Sequence, residues 1–414
     1  MLDARYSRLI KNTCIVFVGN AGNKLLLFLL LPFYTKWLSP EEYGASDLVV
    51  TYAMMLIGLV TCQIQDAIFV FPKNEPFERQ RSYFSSGLRF LAAAYSVFCV
   101  VMAAVGLLLP EGSFFGRYSV QISCYLMLLG AYQYLQQFSR AVDCMICYAA
   151  AGLGFAVAVV AFSFLLIPGH PTGSMLVYSQ CAGCVAGILV AGVGTRVWRY
   201  LDFRCFSRPD LARLMRYALP LVPTTIMWWT LNSLNRPMLE KFTSLASVGI
   251  YAAAVKFPAV INLMWSVVGN AWQISVLEEY QKGGFVRYFA KIVLALAAAV
   301  ALIVALMSVL APHLMRWFVD KEFFEGYRLI PILSVGAGFS MLAGAVGAVY
   351  AASKQSKYFL YSSIWAISSI VLLNYLLIPK YGLMGAAAAN AAALAIEFVV
   401  RIYYCIPLLR KAGK

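Results

Sequence analysis

The sequence predicts an all-α membrane protein of twelve transmembrane helices, split six and six along the chain. Three observations predict it. The 414 residues are 62% hydrophobic and only 12% charged, about half the charge of an ordinary soluble domain. The apolar runs are long and continuous, at or above the ~20 residues a spanning helix needs; barrel strands would read as shorter alternating segments. The basic residues collect in alternate connections, as the positive-inside rule requires.

The spans run 13–37, 46–71, 88–110, 118–140, 145–168, 174–195, 217–238, 246–276, 289–312, 327–352, 357–379 and 383–408. The first follows Arg5, Arg8 and Lys11 and carries Lys24. It is longer than the ~7–15 residue core of a signal peptide, so it reads as a retained helix. Lys24 shares a helix face with Asn20 and Asn23 and lies near mid-membrane. A charge there costs at least ~2.5–3.5 kcal/mol, and such residues face protein or a water-filled cavity. The functional reading is an anion site; the alternative is a structural lysine paired with a carboxylate or carbonyl.

The second span places Asp66 near its cytoplasmic end, with no partner visible in the sequence. The third is plainly apolar. The fourth ends "YQYLQQFSRA", where Gln133, Gln136, Gln137 and Arg140 fall at i, i+3, i+4 and i+7. That amide stripe suits a wet cavity wall and carbohydrate hydroxyls, although amides also join helices in membranes. Arg140 has Asp143 nearby as a local partner. The fifth and sixth spans hold Cys144/Cys147 and Cys181/Cys184, at different depths, so the two pairs share no metal. The ten scattered cysteines form no disulfide framework and read as small apolar side chains.

The longest polar connection, 195–216, splits the spans six and six. It divides the chain into an N-terminal lobe (1–200), a cytoplasmic linker (201–216) and a C-terminal lobe (217–414). The seventh span holds "WWTLNSLNRP". Asn232, Asn235 and Arg236 share a face there, and Trp228 and Trp229 offer stacking surfaces for sugar rings or an interfacial aromatic belt. The eighth holds Lys256 in "YAAAVKFPAV", a second candidate for the anion site, with Pro258 weakening the local helix. The ninth, tenth and eleventh are apolar. In the twelfth, Glu397 and Arg401 stand at i, i+4, the spacing of a local ion pair. Asp66 and Glu397, both inside spans, are the candidates for a coupling ion.

With the N-terminus in the cytoplasm, 22 of the 33 lysines and arginines fall on the cytoplasmic side and 7 on the outer side. The remaining 4 are inside spans: Lys24, Arg236, Lys256 and Arg401. This bias sets both termini inside and accounts for the net charge of +15 without nucleic acid. The halves also hint at a repeat. Pro32 and Gly44 are twelve apart, as are Pro237 and Gly249, which suggests parallel repeats of the kind transporters use. A rival register pairs "NAGNK" (20–24) with "NSLNR" (232–236).

Three stretches carry a resemblance: "KNTCIVFVGNAGNKLLLFLLLPFYTKWLSPEEYGASDL" (11–48), "LMRYALPLVPTTIMWWTLNSLNRPMLEKFTSLASVGIYAAAVKF" (214–257) and "NYLLIPKYGLMGAAAANA" (374–391). In this order the chain resembles the Wzx-type oligosaccharide flippases, polysaccharide-biosynthesis members of the superfamily of MATE exporters and lipid II flippases. The resemblance implies two six-helix lobes around a cationic cavity and no enzyme, cofactor or metal. It implies transfer of a polyprenyl-diphosphate-linked oligosaccharide from the cytoplasmic to the outer leaflet of a bacterial inner membrane, for O-antigen, capsule or exopolysaccharide assembly. Membrane lipid and a polysaccharide polymerase are the implied partners. Lipid II flippases grip the diphosphate with cations on helices that include the first and eighth, the helices of Lys24 and Lys256. The sequence departs from the family pattern at Val70, where arginine is common, and at Asn235, where aspartate is common.

Three other classes fit less well. A MATE-like cation-coupled multidrug antiporter wants acids in its cavity, and the first span offers lysine. A polymerase needs a long outer loop and an acyltransferase an intramembrane histidine; neither is present, and His170 and His313 both fall in outer loops. A plain scaffold or receptor has no use for cationic spans.

Overall fold

The computed structural model describes residues 26–110, 112–202, 205–355 and 357–412. Among them the regular structure is helical throughout. In chain order the α-helices are α1 (Leu31–Trp37), α2 (Pro40–Val60), α3 (Ile64–Val70), α4 (Phe77–Leu108), α5 (Phe114–Ala141), α6 (Met145–Leu166), α7 (Gly173–Thr195) and α8 (Arg208–Ala218). They continue with α9 (Val222–Ser233), α10 (Asn235–Phe242), α11 (Leu245–Val255), α12 (Ala259–Glu279), α13 (Phe285–Phe318), α14 (Leu329–Ala352) and α15 (Lys357–Ala412).

Seven of the described helices are long and apolar enough to cross a membrane by themselves, eight if α11 and the start of α12 count as one bent span. The other expected spans show why they fall short. Helix α5 is 28 residues long but carries the amide stripe that lowers its apolarity. The seventh span is divided between α9 and α10, because Pro237 has no N–H to offer the carbonyl of Ser233. Helix α15 is two spans run together: Gly382, at φ 53 and ψ −126, interrupts 56 residues of helix. Its two arms lie side by side and antiparallel, with Tyr358 stacked on Tyr404 (centroids 5.1 Å apart) and Arg401 Nε donating to Ser362 Oγ at 3.2 Å. A left-handed residue at the turn favours glycine. The first span lies largely outside the described residues.

The chain divides into two compact units, Met1–Leu38 with Ser46–Ile226, and Ser39–Ala45 with Met227–Lys414. In the first unit, buried hydroxyls join three helices: Tyr34 OH meets Ser163 Oγ at 2.9 Å, and Ser163 Oγ donates to Ser179 Oγ at 3.2 Å. Tyr134 OH donates to the Phe84 carbonyl at 2.8 Å and ties α5 to α4. Such bonds matter in a bilayer, where water cannot satisfy a stray polar group.

The described residues of the linker pack on this first unit. Ser207 caps α8 by accepting from the Asp210 amide at 3.2 Å. Asp210, Leu214 and Ala218, at i, i+4 and i+8, form its buried stripe. Ser82 donates to Asp210 at 2.6 Å, and Arg81 pairs with Asp202 at 2.8 Å. Cys205 also donates to Asp202 (Sγ to Oδ2, 3.1 Å), which holds its thiol above the ordinary thiol range. The thiolate is the reactive form. Asp202→Asn is therefore expected to speed maleimide alkylation of Cys205 several-fold at neutral pH; an unchanged rate would show that the carboxylate does not hold the proton.

In the second unit, the first turn of α2 crosses α11 at two glycines. A Cβ on Gly44 would lie 2.0 Å from the Leu245 carbonyl oxygen, and one on Gly249 would lie 2.0 Å from that of Pro40. Leu245 and Pro40 are each four residues before the opposing glycine, so the contact is reciprocal, as a local two-fold makes it. That geometry favours the register that aligns Gly44 with Gly249 over the one that aligns "NAGNK" with "NSLNR". Gly44→Val and Gly249→Val are each expected to lower the yield of monodisperse protein in detergent several-fold. Gly112→Val, where a Cβ meets nothing within 4 Å, should leave it unchanged. Equal yields for all three would refute the close crossing.

The cysteines depart from expectation at one place. Cys144 and Cys147 form a disulfide at the start of α6, with Cα atoms 5.3 Å apart. Three-residue spacing at a helix start brings the two Cβ atoms within bonding reach.

Candidate functional site

Asn20, Asn23 and Lys24 lie outside the described residues. Lys256 lies within them, at a break in the eighth span. Helix α11 ends at Val255, and α12 begins at Ala259 with its axis bent by 41°. Pro258 cannot donate to the Ala254 carbonyl. The chain there tightens into i→i+3 bonds: Lys256 N to Ala253 O at 3.2 Å, and Phe257 N to Ala254 O at 3.3 Å. Half-buried Lys256 therefore stands at a discontinuity of an apolar helix, the kind of place where transporters build ion and substrate sites.

The residues of the seventh span separate. Asn232 is exposed, with Nδ2 donating to the Trp228 carbonyl at 2.7 Å, and Trp228 is exposed too. Arg236 is half-buried and donates to the Asn232 carbonyl at 3.5 Å. Trp229 is half-buried, its ring 5.0 Å from that of Trp228 and perpendicular to it. Asn235 is buried: it donates to Tyr251 OH at 2.7 Å and accepts from Asn374 Nδ2 at 2.6 Å. The break at Leu234 takes Asn235 off the face that Asn232 and Arg236 share.

In the first unit the amide stripe of α5 is half-buried. Gln136 Nε2 donates to the Tyr148 carbonyl at 3.3 Å, and Gln137 Oε1 accepts from Arg140 Nη1 at 3.0 Å. Gln133 lies one turn earlier, half-buried like them. Arg140 stacks on Phe69, 4.1 Å from the ring centroid, and its charge acts on Asp66, also half-buried on α3. The stripe thus runs onto the acid of the second span. The partner that sequence proximity suggested for Arg140 was Asp143.

Glu397 and Arg401 do pair. Arg401 Nη2 meets Glu397 Oε1 at 2.5 Å, with both side chains largely buried. Arg401 Nη1 donates to the Ala343 carbonyl at 2.9 Å, and its guanidinium lies 5.2 Å from the Phe359 centroid. The backbone carbonyl of Arg401 accepts from Tyr350 OH.

Sequence reasoning missed one group. Asn262, Ser266, Asn270 and Gln273 on α12 are all exposed. Their spacing of i, i+4, i+8 and i+11 puts them on one face, a signal the lysine and proline just upstream overshadowed.

None of the curated proteins matches the chain. Solved structures do. A lipid II flippase MurJ in an inward closed conformation aligns with a TM-score of 0.72 at 13% identity, covering 96% of this chain and 90% of its own. An inward-facing multidrug resistance MATE family transporter of the MOP superfamily aligns with a TM-score of 0.72 at 14% identity, covering 94% and 96%. A mutant of the Vibrio cholerae MATE transporter VcmN reaches 0.53 at 13% identity, covering 98% and 97%. At such identities the likeness is one of fold: an all-helical, multi-pass membrane protein of twelve spans in two six-helix lobes. The sequence profile named "Polysaccharide biosynthesis protein" matches residues 9–272, well over half of the chain, and the chain therefore belongs to the polysaccharide biosynthesis protein family.

Proposed function

We propose that the protein is a flippase that carries a polyprenyl-diphosphate-linked oligosaccharide repeat unit from the cytoplasmic to the outer leaflet of a bacterial inner membrane. Its product supplies assembly of a surface polysaccharide such as O-antigen, capsule or exopolysaccharide. The observation that carries the reading is Lys256, a cation at a break in a membrane-spanning helix of a polysaccharide biosynthesis protein.

A diphosphate carries about two negative charges and cannot cross ~30 Å of hydrocarbon unaided. Lys24, Lys256 and Arg236 are the cations that offset its desolvation. Asn20, Asn23, Gln133, Gln136, Gln137, Asn232 and Trp229 supply amide and aromatic surfaces for the sugars; Asn235, buried with its amide engaged by Tyr251 and Asn374, is a packing residue instead. The polyprenyl tail stays in the lipid. Asp66 and Glu397 are the acids available to a coupling ion, and turnover is alternating access between the lobes. No covalent bond is made or broken, so the protein is not an enzyme. Both termini face the cytoplasm, and a polysaccharide polymerase takes the product.

Because a multidrug MATE transporter shares the fold equally well, the test carries both substrates. Purified protein in liposomes is given a fluorescent polyprenyl-diphosphate oligosaccharide or ethidium, with and without proton and sodium gradients. Transfer of the glycolipid to the opposite leaflet is the expected result. Gradient-driven ethidium extrusion without glycolipid transfer would replace the flippase with a drug antiporter.

A further inference from the structure

The second unit contains a slot of about 270 Å³ between α12, α14 and the start of α15. Trp265 and Phe359 wall it; Ser266, Asn270 and Gln273 edge it; Gly344 and Gly347 belong to its small-residue floor. Three features of this slot bear on its ligand.

The first is shape. Trp265 Nε1 would come within 2.7 Å of a Cβ on Gly344, and Phe359 within 2.7 Å of one on Gly347. The two aromatic rings therefore rest against backbone, and the gap survives because those positions have no side chain. Its volume lies just under the ~300–1,000 Å³ of ordinary ligand pockets. A gap of this size suits one ring.

The second is chemistry. The lining holds no acid or base. Its polar side chains are two amides, a hydroxyl and two indoles. Trp272 Nε1 donates to the Ala345 carbonyl at 2.9 Å, Ser266 Oγ to the Leu263 carbonyl at 2.6 Å and Asn270 Nδ2 to the Ser266 carbonyl at 3.2 Å, which leaves the Asn270 amide oxygen and the Gln273 amide to accept from and donate to sugar hydroxyls. Arg401, behind Phe359, is committed to Ser362, Ala343 and Glu397. The third is exposure. Ser266, Asn270 and Gln273 lie uncovered on a helix otherwise suited to lipid. Acyl chains cannot hydrogen-bond an amide, so this face meets water or a hydrogen-bonding ligand.

We propose that the slot is a sugar subsite: it takes one neutral pyranose ring of the lipid-linked glycan, stacked on Trp265, with its hydroxyls on Asn270 and Gln273. This rests on the flippase reading and adds a discriminator to it. The cations hold the diphosphate common to such lipids, and the slot reads the glycan.

The test has two arms. In the first, saturation-transfer NMR on detergent-solubilised protein uses methyl glucoside, methyl galactoside and methyl N-acetylglucosaminide, with glucuronic acid as the charged control. At least one neutral glycoside should bind the parent more tightly than the control. Asn270→Ala/Gln273→Ala, which removes the amides, and Ala351→Leu, which fills the slot at another small lining residue of α14, should each weaken it at least tenfold with unchanged melting temperature; Trp265→Phe should weaken it less. No neutral glycoside bound by the parent, or equal binding by the parent and all variants, overturns the subsite. In the second arm, liposomes receive polyprenyl diphosphates carrying one sugar or a full repeat unit. The ratio of full-repeat to single-sugar rates should fall at least tenfold in Ala351→Leu and stay constant in the control Leu302→Ala, on exposed α13 surface. An unchanged ratio in Ala351→Leu overturns the subsite. A parent that moves neither lipid removes the flippase reading instead, and the glycoside arm then decides the slot by itself.

Discussion

Lys256→Ala is expected to lower glycolipid transfer by two to three orders of magnitude while leaving insertion and folding intact. Two unit charges 4 Å apart interact by about 4 kcal/mol at an effective dielectric near 20, close to a thousandfold in rate when the interaction exists only during transfer. The variant should fold, because the bend at this position is set by Pro258 and by backbone bonds from the Lys256 and Phe257 amides, which alanine preserves. Lys256→Arg, which keeps the charge, should retain a sizeable part of the rate. The measurement is initial transfer in liposomes at matched protein density. A Lys256→Ala rate above half of the parent's would remove Lys256 from the diphosphate site.

The second large effect is on stability. Arg401→Leu should strongly destabilise the protein in detergent, and Glu397→Gln/Arg401→Leu should recover most of the loss. Arg401 and Glu397 side chains are only 12% and 7% exposed. Removing one member of a buried pair leaves an uncompensated charge and costs about 3–5 kcal/mol, whereas replacing both with neutral groups is often close to neutral. Arg401 also joins the two arms of α15 through Ser362 and reaches α14 through the Ala343 carbonyl, so its loss loosens three helical segments. Thermal unfolding of parent, both single variants and the double variant forms a double-mutant cycle. Additive losses would show that the pair contributes nothing as a pair. If Glu397 also binds a coupling proton, the pH dependence of transfer should change in Glu397→Gln even where stability is restored.

Much of the architecture is legible in the sequence. The apolar runs marked the spans, and the gap between the eleventh and twelfth fell at Gly382, where α15 reverses. The i, i+4 spacing of Glu397 and Arg401 anticipated their pair. Pro258 anticipated the bend at Lys256. These features are local: hydrophobic run length, helical spacing and a missing amide act within a turn or two of their residue.

The site was less legible, because its residues are sorted by contacts between distant segments. Asn232 and Asn235 look alike along the chain. One is exposed and the other buried only because the helix breaks at Leu234 and brings Asn235 against Tyr251 and Asn374, the latter 139 residues away. Arg140 had Asp143 beside it in sequence, yet it stacks on Phe69 and acts on Asp66 of another helix. The slot beside Trp265 needed small residues on α14 to face an aromatic on α12, a coincidence that no single stretch reports.

Composition and charge placement alone determined that this is a multi-pass helical membrane protein, since hydrocarbon excludes unpaired backbone and charge whatever the fold. Tertiary structure alone decided which polar side chains are consumed by packing and which stay available to a ligand, because an amide has the same letter in either role and differs only in what lies across from it.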